Sequence, residues 1–215
     1  MNDTGPNHHA AADDSITVIG IAGGVGSGKS TVSAMLRKLG CLVLDADAQA
    51  KALLDEPGVQ EQLVDWWGDA VLGEDGLIDR AAVASIVFQD DEELQRLESL
   101  IHPRVIRMQR DAIRGADPAK IPAVVLDVPL LFEADMDESC DAVIFVDCPE
   151  DARLLRVMTT RGWDEDELER RQSNQWPLEA KMAGSDFVVN NKGDLADLEQ
   201  QVGEVFAQIR QAQRS

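Results

Sequence analysis

The sequence predicts an α/β fold, a doubly wound parallel sheet of about five strands with helices on both faces. Three observations carry that prediction. Apolar runs rich in β-branched residues recur at 16–21, 41–44, 123–128, 142–146 and 187–189. Their hydrophobicity is continuous rather than alternating, as strands buried on both faces require. Stretches with helical spacing separate them, and strand–helix alternation builds a parallel sheet. Ligands of such sheets bind beyond the carboxyl ends of the strands, so the residues that follow the runs share one rim.

The first run leads into Gly23-Gly24-Val25-Gly26-Ser27-Gly28-Lys29-Ser30, which fits G-x-x-x-x-G-K-[ST]. An amphipathic stretch at 31–39 follows. Strand, glycine loop and helix in that order turn a string match into a structural expectation, a P-loop NTPase-type sheet. Glycines let successive backbone N–H groups converge on an anion, and the helix N-terminus adds its positive dipole. Gly24, Val25, Gly26, Ser27, Gly28, Lys29, Ser30 and Thr31 are therefore the candidate cradle for a nucleoside triphosphate. Lys29 would reach the β- and γ-phosphates, and the Ser30 hydroxyl would ligate Mg²⁺. A glycine-rich turn that binds nothing has no need of Lys and Ser at these offsets.

The second run ends in Asp45-Ala46-Asp47, two carboxylates on one face of an extended backbone. Asp47 reads as the group that accepts the proton of an attacking hydroxyl, or as the N-cap of a helix over 48–51. Roughly eighty residues then pass before the third run, too many for one crossover helix. Val83, Ile86 and Val87 have helical spacing, as do Leu94, Leu97 and Ile101, and Asp90 with Glu93 resembles a capping box. The stretch 48–121 reads as an inserted helical subdomain that closes over a second substrate, or as extra helices packed on the sheet. Asp127 closes the third strand, where it either supports Mg²⁺ or caps the turn before Val128-Pro129. After the fourth run come Arg153, Arg156 and Arg161 with no intervening lysine, then Arg170 and Arg171. Within 153–175 they form the candidate positive island, Arg153 and Arg170 reading as solvated helix charge. Leu195, Leu198, Val202, Val205 and Ile209 predict a closing helix docked on the sheet.

Composition narrows the classes. The 215 residues suffice for one core with a small subdomain, and no apolar run approaches the ~20 residues that span a bilayer. Residues 1–15 are polar and acidic, lack a signal-peptide pattern and read as a disordered leader in which His8-His9 carry no forced metal role. Cys41, Cys140 and Cys148 show no C-x-x-C pair, a reduced, cytoplasmic pattern. A net charge of −20 argues against nucleic acid as a partner, and nothing suggests an obligate protein partner. Trp66, Trp67 and Trp176 read as helical-subdomain core rather than as base-stacking platforms.

Further patterns follow the glycine loop in a fixed series: Leu44-Asp45-Ala46-Asp47, Gly76-Leu77-Ile78-Asp79-Arg80, Ile86-Val87-Phe88, and Leu97 through His102-Pro103. After them come Asp127-Val128-Pro129-Leu130-Leu131-Phe132-Glu133, Arg156, Arg161, Arg171 with Gln175, and Asp186 through Asn190. The series resembles the dephospho-coenzyme A kinase family over roughly residues 16–206. The glycine loop alone is widely shared, whereas the D-A-D, H-P and V-P-L-L-F-E elements together are specific. Ala22 departs from the Thr common there and leaves the loop chemistry intact. The resemblance implies phosphoryl transfer from ATP, with Mg²⁺, to the ribose 3′-hydroxyl of dephospho-coenzyme A. It also implies a nucleotide-binding core, a helical coenzyme-binding part at about 48–121 and a lid at about 153–175. On the matching positions it implies Asp47 as catalytic carboxylate beside Lys29, with Arg156 and Arg161 as flexible lid arginines. Arg171 and Asn190 fall on the nucleotide side. Arg80, His102, Pro129, Leu130 and Glu133 fall on the substrate side, and Asp127 and Ser30 on the metal side. By itself His102 before Pro103 would only end a helix.

Other readings stand beside this one. A nucleoside or nucleoside-monophosphate kinase shares the loop, lid and sheet. Asn191-Lys192-Gly193-Asp194 fits N-K-x-D, the guanine-reading motif of GTPases, and follows a strand. Such a protein also needs a D-x-x-G element after an early strand, and Asp55-Glu56-Pro57-Gly58 has the letters without the strand.

Overall fold

A computed structural model describes residues 15–173 and 175–213. The expected leader, with His8 and His9, lies outside them except for Ser15. β1 (Val18–Ala22), β2 (Leu42–Asp45), β3 (Val124–Asp127), β4 (Ala142–Asp147) and β5 (Phe187–Asn190) form one sheet in the order β2-β3-β1-β4-β5. Every pairing is parallel.

The continuous apolar runs are explained by what covers each face. Ile19, Ile21 and Val125 point to one side, onto Val32 and Leu36 of α1 (Lys29–Lys38) and Leu198 and Val202 of α9 (Leu195–Ala212). Val18, Ala22, Val124 and Leu126 point to the other, onto Leu131, Phe132 and the end of α5 (Asp91–Gly115). Gly20 in β1 is required by this packing, because a Cβ there would lie 2.8 Å from Leu131 and 2.9 Å from the Cys140 sulfur. Two aspartates extend the ladder at strand entries. The Val18 N–H donates to the Asp141 carboxylate at 2.7 Å, and the Val143 N–H donates to that of Asp186 at 2.8 Å.

Between β2 and β3 lie α2 (Ala46–Leu53), α3 (Pro57–Trp67), α4 (Arg80–Gln89) and α5. They surround an apolar cluster of their own, including Leu53, Val59, Leu63, Val83, Ile101 and Val105, with Trp66 and Trp67 packed against it. Only half of the anticipated capping box forms at the start of α5. Asp90 accepts from the N–H groups of Glu92 and Glu93, while the Glu93 carboxylate accepts from Trp67 Nε1 at 2.9 Å. His102-Pro103 does not end a helix, since α5 runs straight through it. Proline forfeits one N–H bond, and buried Ile101 and Val105 on either side hold the helix together by packing.

Beyond β4 come α6 (Glu150–Arg161), α7 (Glu165–Gln172) and α8 (Leu178–Ala183), with Gly162 at φ 68° closing α6 in the left-handed region. Among the described residues no helix is long and apolar enough to cross a membrane. Leu198, 1% exposed, fixes α9 to the sheet. Leu198→Ala should cost about 2–5 kcal/mol, read in urea unfolding as a lower midpoint with an unchanged slope.

Candidate active site

The loop from Gly23 to Gly28 turns between β1 and α1 at the rim where the strands end. Gly26 has φ 75° and Gly28 φ 101°, so both sit where a side chain is strained. A Cβ on Gly28 would come within 2.2 Å of Asn191 Nδ2. That contact is structural, because Asn191 is buried and donates to the Ser27 carbonyl at 2.7 Å. Arg156 Nη1 donates to the carbonyls of Gly26 and Ser27, each at 2.9 Å. The loop is thus braced from behind by an amide and a guanidinium.

Lys29 reaches across the loop and donates to the carbonyls of Gly23 at 2.9 Å and Gly24 at 3.1 Å. Part of the residue is accessible, yet its ammonium lies deep enough that burial lowers its pKa to about 8, with Lys181 adding to the effect and Asp127 opposing it. A cation poorly hydrated and hydrogen-bonded to carbonyl dipoles rather than to a carboxylate is primed for an anion.

A cavity of about 1230 Å³ opens in front of the loop, lined by Val25, Gly26, Ser27, Gly28, Lys29, Ser30 and Thr31. Asp47, Pro129, Leu130, Arg156, Arg161 and Arg171 face the same space, so distant parts of the chain meet there. Asp47 is exposed in the first turn of α2. The capping role falls to Asp45, which keeps an extended backbone and accepts from the Ala48 N–H at 2.9 Å. Asp45 and Asp127 sit opposite each other at the ends of β2 and β3. Asp127 accepts from the Ser33 hydroxyl at 2.8 Å, and burial raises its pKa against the pull of that hydrogen bond.

The arginines are less free than anticipated. Arg156 braces the loop, and Arg161 and Arg171 lie over the Trp163 ring at 4.7 and 4.1 Å. Glu167 accepts from Arg170 and Arg171, Nε to carboxylate 2.8 and 2.7 Å, and the two hydrogen bonds hold its pKa at about 2.

Several expectations are corrected by the geometry. Arg153 is not solvated helix charge: it is 4% exposed, hydrogen-bonded to Gln172 and packed against Gly24. Arg80 pairs with Asp55 at 2.7 Å, and His102 stands exposed on α5, one turn beyond Glu98, which lines the cavity. Glu133 does not line the cavity either, because its carboxylate accepts from Lys181 and from the Trp176 N–H, both at 2.8 Å. Burial pushes that carboxyl up, but these bonds prevail and hold it below the usual range. Asn190 is held by Gln201 through its backbone N–H and carbonyl, and its neighbour Asn191 reaches the loop instead. Trp176 joins no helical core but stacks on Phe132 with centroids 5.9 Å apart. The N-K-x-D letters serve structure: besides Asn191, Lys192 pairs with Asp147 at 3.0 Å and Asp194 caps α9.

Sequence reading missed Ser33, Trp163, Lys181 and the loop-bracing role of Asn191. It also passed over the apolar wall of Val87, Phe88 and Leu94 that faces the loop across the cavity. Phe88, 76% exposed, is the one with a readable signal, an aromatic at the end of an otherwise packed helical stripe.

The family model for dephospho-CoA kinase matches residues 17–197. The chain belongs to the dephospho-CoA kinase family. A dephospho-CoA kinase of Carboxydothermus hydrogenoformans is 40% identical over 189 residues, covering 87% of this chain and 91% of that one. Among solved structures, the dephospho-CoA kinase from Campylobacter jejuni is 25% identical with a TM-score of 0.69, over 91% of this chain and 98% of the other. TT1252 from Thermus thermophilus is 37% identical with a TM-score of 0.73, over 90% and 98%. Asp47 and the glycine loop, separate in sequence, line one cavity.

The depressed Lys29 pKa has a signed consequence. The folded chain binds fewer protons than the unfolded chain between pH 8 and 10.5, so Lys29 lowers stability at neutral pH and ceases to do so as pH rises through that window. Lys29→Met should therefore melt higher than the parent at pH 7, with the gain shrinking toward pH 10.5 in thermal unfolding scans.

Proposed function

We propose that the protein transfers the terminal phosphoryl group of ATP to the ribose 3′-hydroxyl of dephospho-coenzyme A, giving coenzyme A and ADP. One observation carries this reading: a single cavity is faced by the glycine loop, by the uncapped carboxylate of Asp47 and by the arginines of α6 and α7. Phosphoryl transfer asks little covalent chemistry of a protein and much positioning and charge stabilisation. Loop amides and Lys29 would hold the β- and γ-phosphates. Arg156 and Arg161 would answer the charge that spreads over the transferring group, with Arg171 beside the nucleotide. Asp47 would orient the acceptor hydroxyl and take its proton, and its freedom from capping leaves both oxygens available.

The acceptor would lie between Pro129-Leu130 and the wall of Val87, Phe88 and Leu94. On this reading the segment at about 48–121 is the acceptor-binding subdomain and that at about 153–175 the lid. An apolar wall suits the coenzyme's neutral arm, and closure of the lid would keep water from the phosphoryl group. Both substrates are soluble nucleotides, which fits a cytoplasmic setting.

Mg²⁺ belongs to this chemistry, and the donors present suit it. Ser30 offers a hydroxyl at the rim and Asp127 a carboxylate oriented by Ser33, both hard oxygen ligands. Among the described residues no cluster of three His, Cys, Asp or Glu could hold a metal by itself, so substrate phosphates would complete the coordination. Bound there, Mg²⁺ would neutralise phosphate charge.

A coupled ADP-release assay across a panel of acceptors tests the assignment. Dephospho-coenzyme A should support turnover, and strong turnover with a nucleoside but none with dephospho-coenzyme A would refute it. Asp47→Asn should lose on the order of 10²–10⁴ in kcat while ATP binding, measured by calorimetry, stays near the parental value. Chelation with EDTA should abolish transfer and added Mg²⁺ restore it, without a change in the far-ultraviolet circular dichroism.

A further inference from the structure

Lys181 is the most deeply buried charged residue among those described, with 2% of its surface exposed. Burying an ammonium costs several kcal/mol unless partners replace its water. Lys181 Nζ has two such partners, Glu133 at 2.8 Å and the Gln175 side-chain oxygen at 3.0 Å. The same Glu133 oxygen accepts from the Trp176 N–H at 2.8 Å, and the Trp176 ring stacks on Phe132. Each partner belongs to a different part of the site. Gln175 faces the cavity a few residues beyond α7, and Glu133 closes the loop that carries Pro129 and Leu130. A second buried cation, Arg153 of α6, holds Gln172 at the end of α7. The chain that returns from the arginine-bearing helices is therefore fastened at Gln172 and again at Gln175 and Trp176.

We propose that Lys181 is a positioning residue, forming with Glu133 a clasp that sets the returning end of the lid against the Pro129-Leu130 loop. It touches none of the reacting groups. A well-packed apolar pair would stabilise the fold as well as a buried ion pair does. What the charged clasp adds is direction: one ammonium must meet an oxygen from each side, which fixes the distance between the lid arginines and the Pro129-Leu130 loop. The inference rests on the kinase reading given above, and it moves Glu133 from substrate contact to support.

The test compares Lys181→Met with the double variant Glu133→Gln/Lys181→Met, which removes both charges of the pair. Lys181→Met should lower kcat about tenfold to a hundredfold, as small misplacements of catalytic groups do, while the KM for ATP moves by less than about threefold. The double variant should recover most of the lost melting temperature but not the lost kcat. Recovery of both together, or parental kcat in the folded single variant, would mean a structural pair only and would overturn the proposal. If Lys181→Met does not fold, the double variant carries the kinetic comparison. Amide exchange supplies a readout independent of turnover: the Trp176 N–H should exchange faster in either variant. Unchanged exchange there would count against the clasp whatever the activity, whereas parental protein inert toward dephospho-coenzyme A would count against the function.

Discussion

A lysine ammonium folded onto backbone carbonyls is the interaction on which the site depends. Lys29 lies within a loop whose carbonyls answer it at 2.9 and 3.1 Å, and burial has weakened its hold on its proton. Dipoles satisfy its hydrogen bonds without cancelling its charge. Every other feature of the rim either keeps that arrangement in place or supplies the chemistry an anion bound there would need. Asn191 and Arg156 hold the loop from behind, and the glycines permit turns no other residue takes without strain.

Charge distribution follows from the same constraint. A chain of net charge −20 must still admit a polyanion. Positive groups are accordingly gathered on α6 and α7 beside the loop and kept ordered by local partners, Trp163 and Glu167. Carboxylates near the site are tied into capping, hydrogen bonding or ion pairing, as Asp45, Asp127 and Glu133 are. Asp47 at the start of α2 carries no such tie among the hydrogen bonds and ion pairs of the described residues, and it faces the cavity.

Two apolar clusters clothe the sheet and a third organises the helices between β2 and β3. α5 joins them, its buried Ile101 and Val105 in the helical cluster and its Ala112 and Ile113 against the sheet. The wall bearing Phe88 thereby stands at a defined distance from the glycine loop rather than on a loose appendage.

Sequence alone determined the elements whose signal is local. Continuous β-branched runs required strands covered on both faces, the glycine spacing required a loop before a helix, and the stripe from Leu195 to Ile209 required a helix on the sheet. All five strands lie within two residues of where periodicity put them, because burial on both faces leaves a continuous apolar run in the central strands, and the edge strand β5 keeps one although Val188 is exposed. Local sequence could not decide which partner each polar group would find. Arg80, Arg153, Glu133, Asn190 and Asn191 received their roles from residues far away in the chain: Asp55, Gln172, Lys181, Gln201 and Ser27. Hydrogen bonds and ion pairs are settled by distances of a few ångströms after the sheet has assembled, and neither periodicity nor motif spacing encodes those distances.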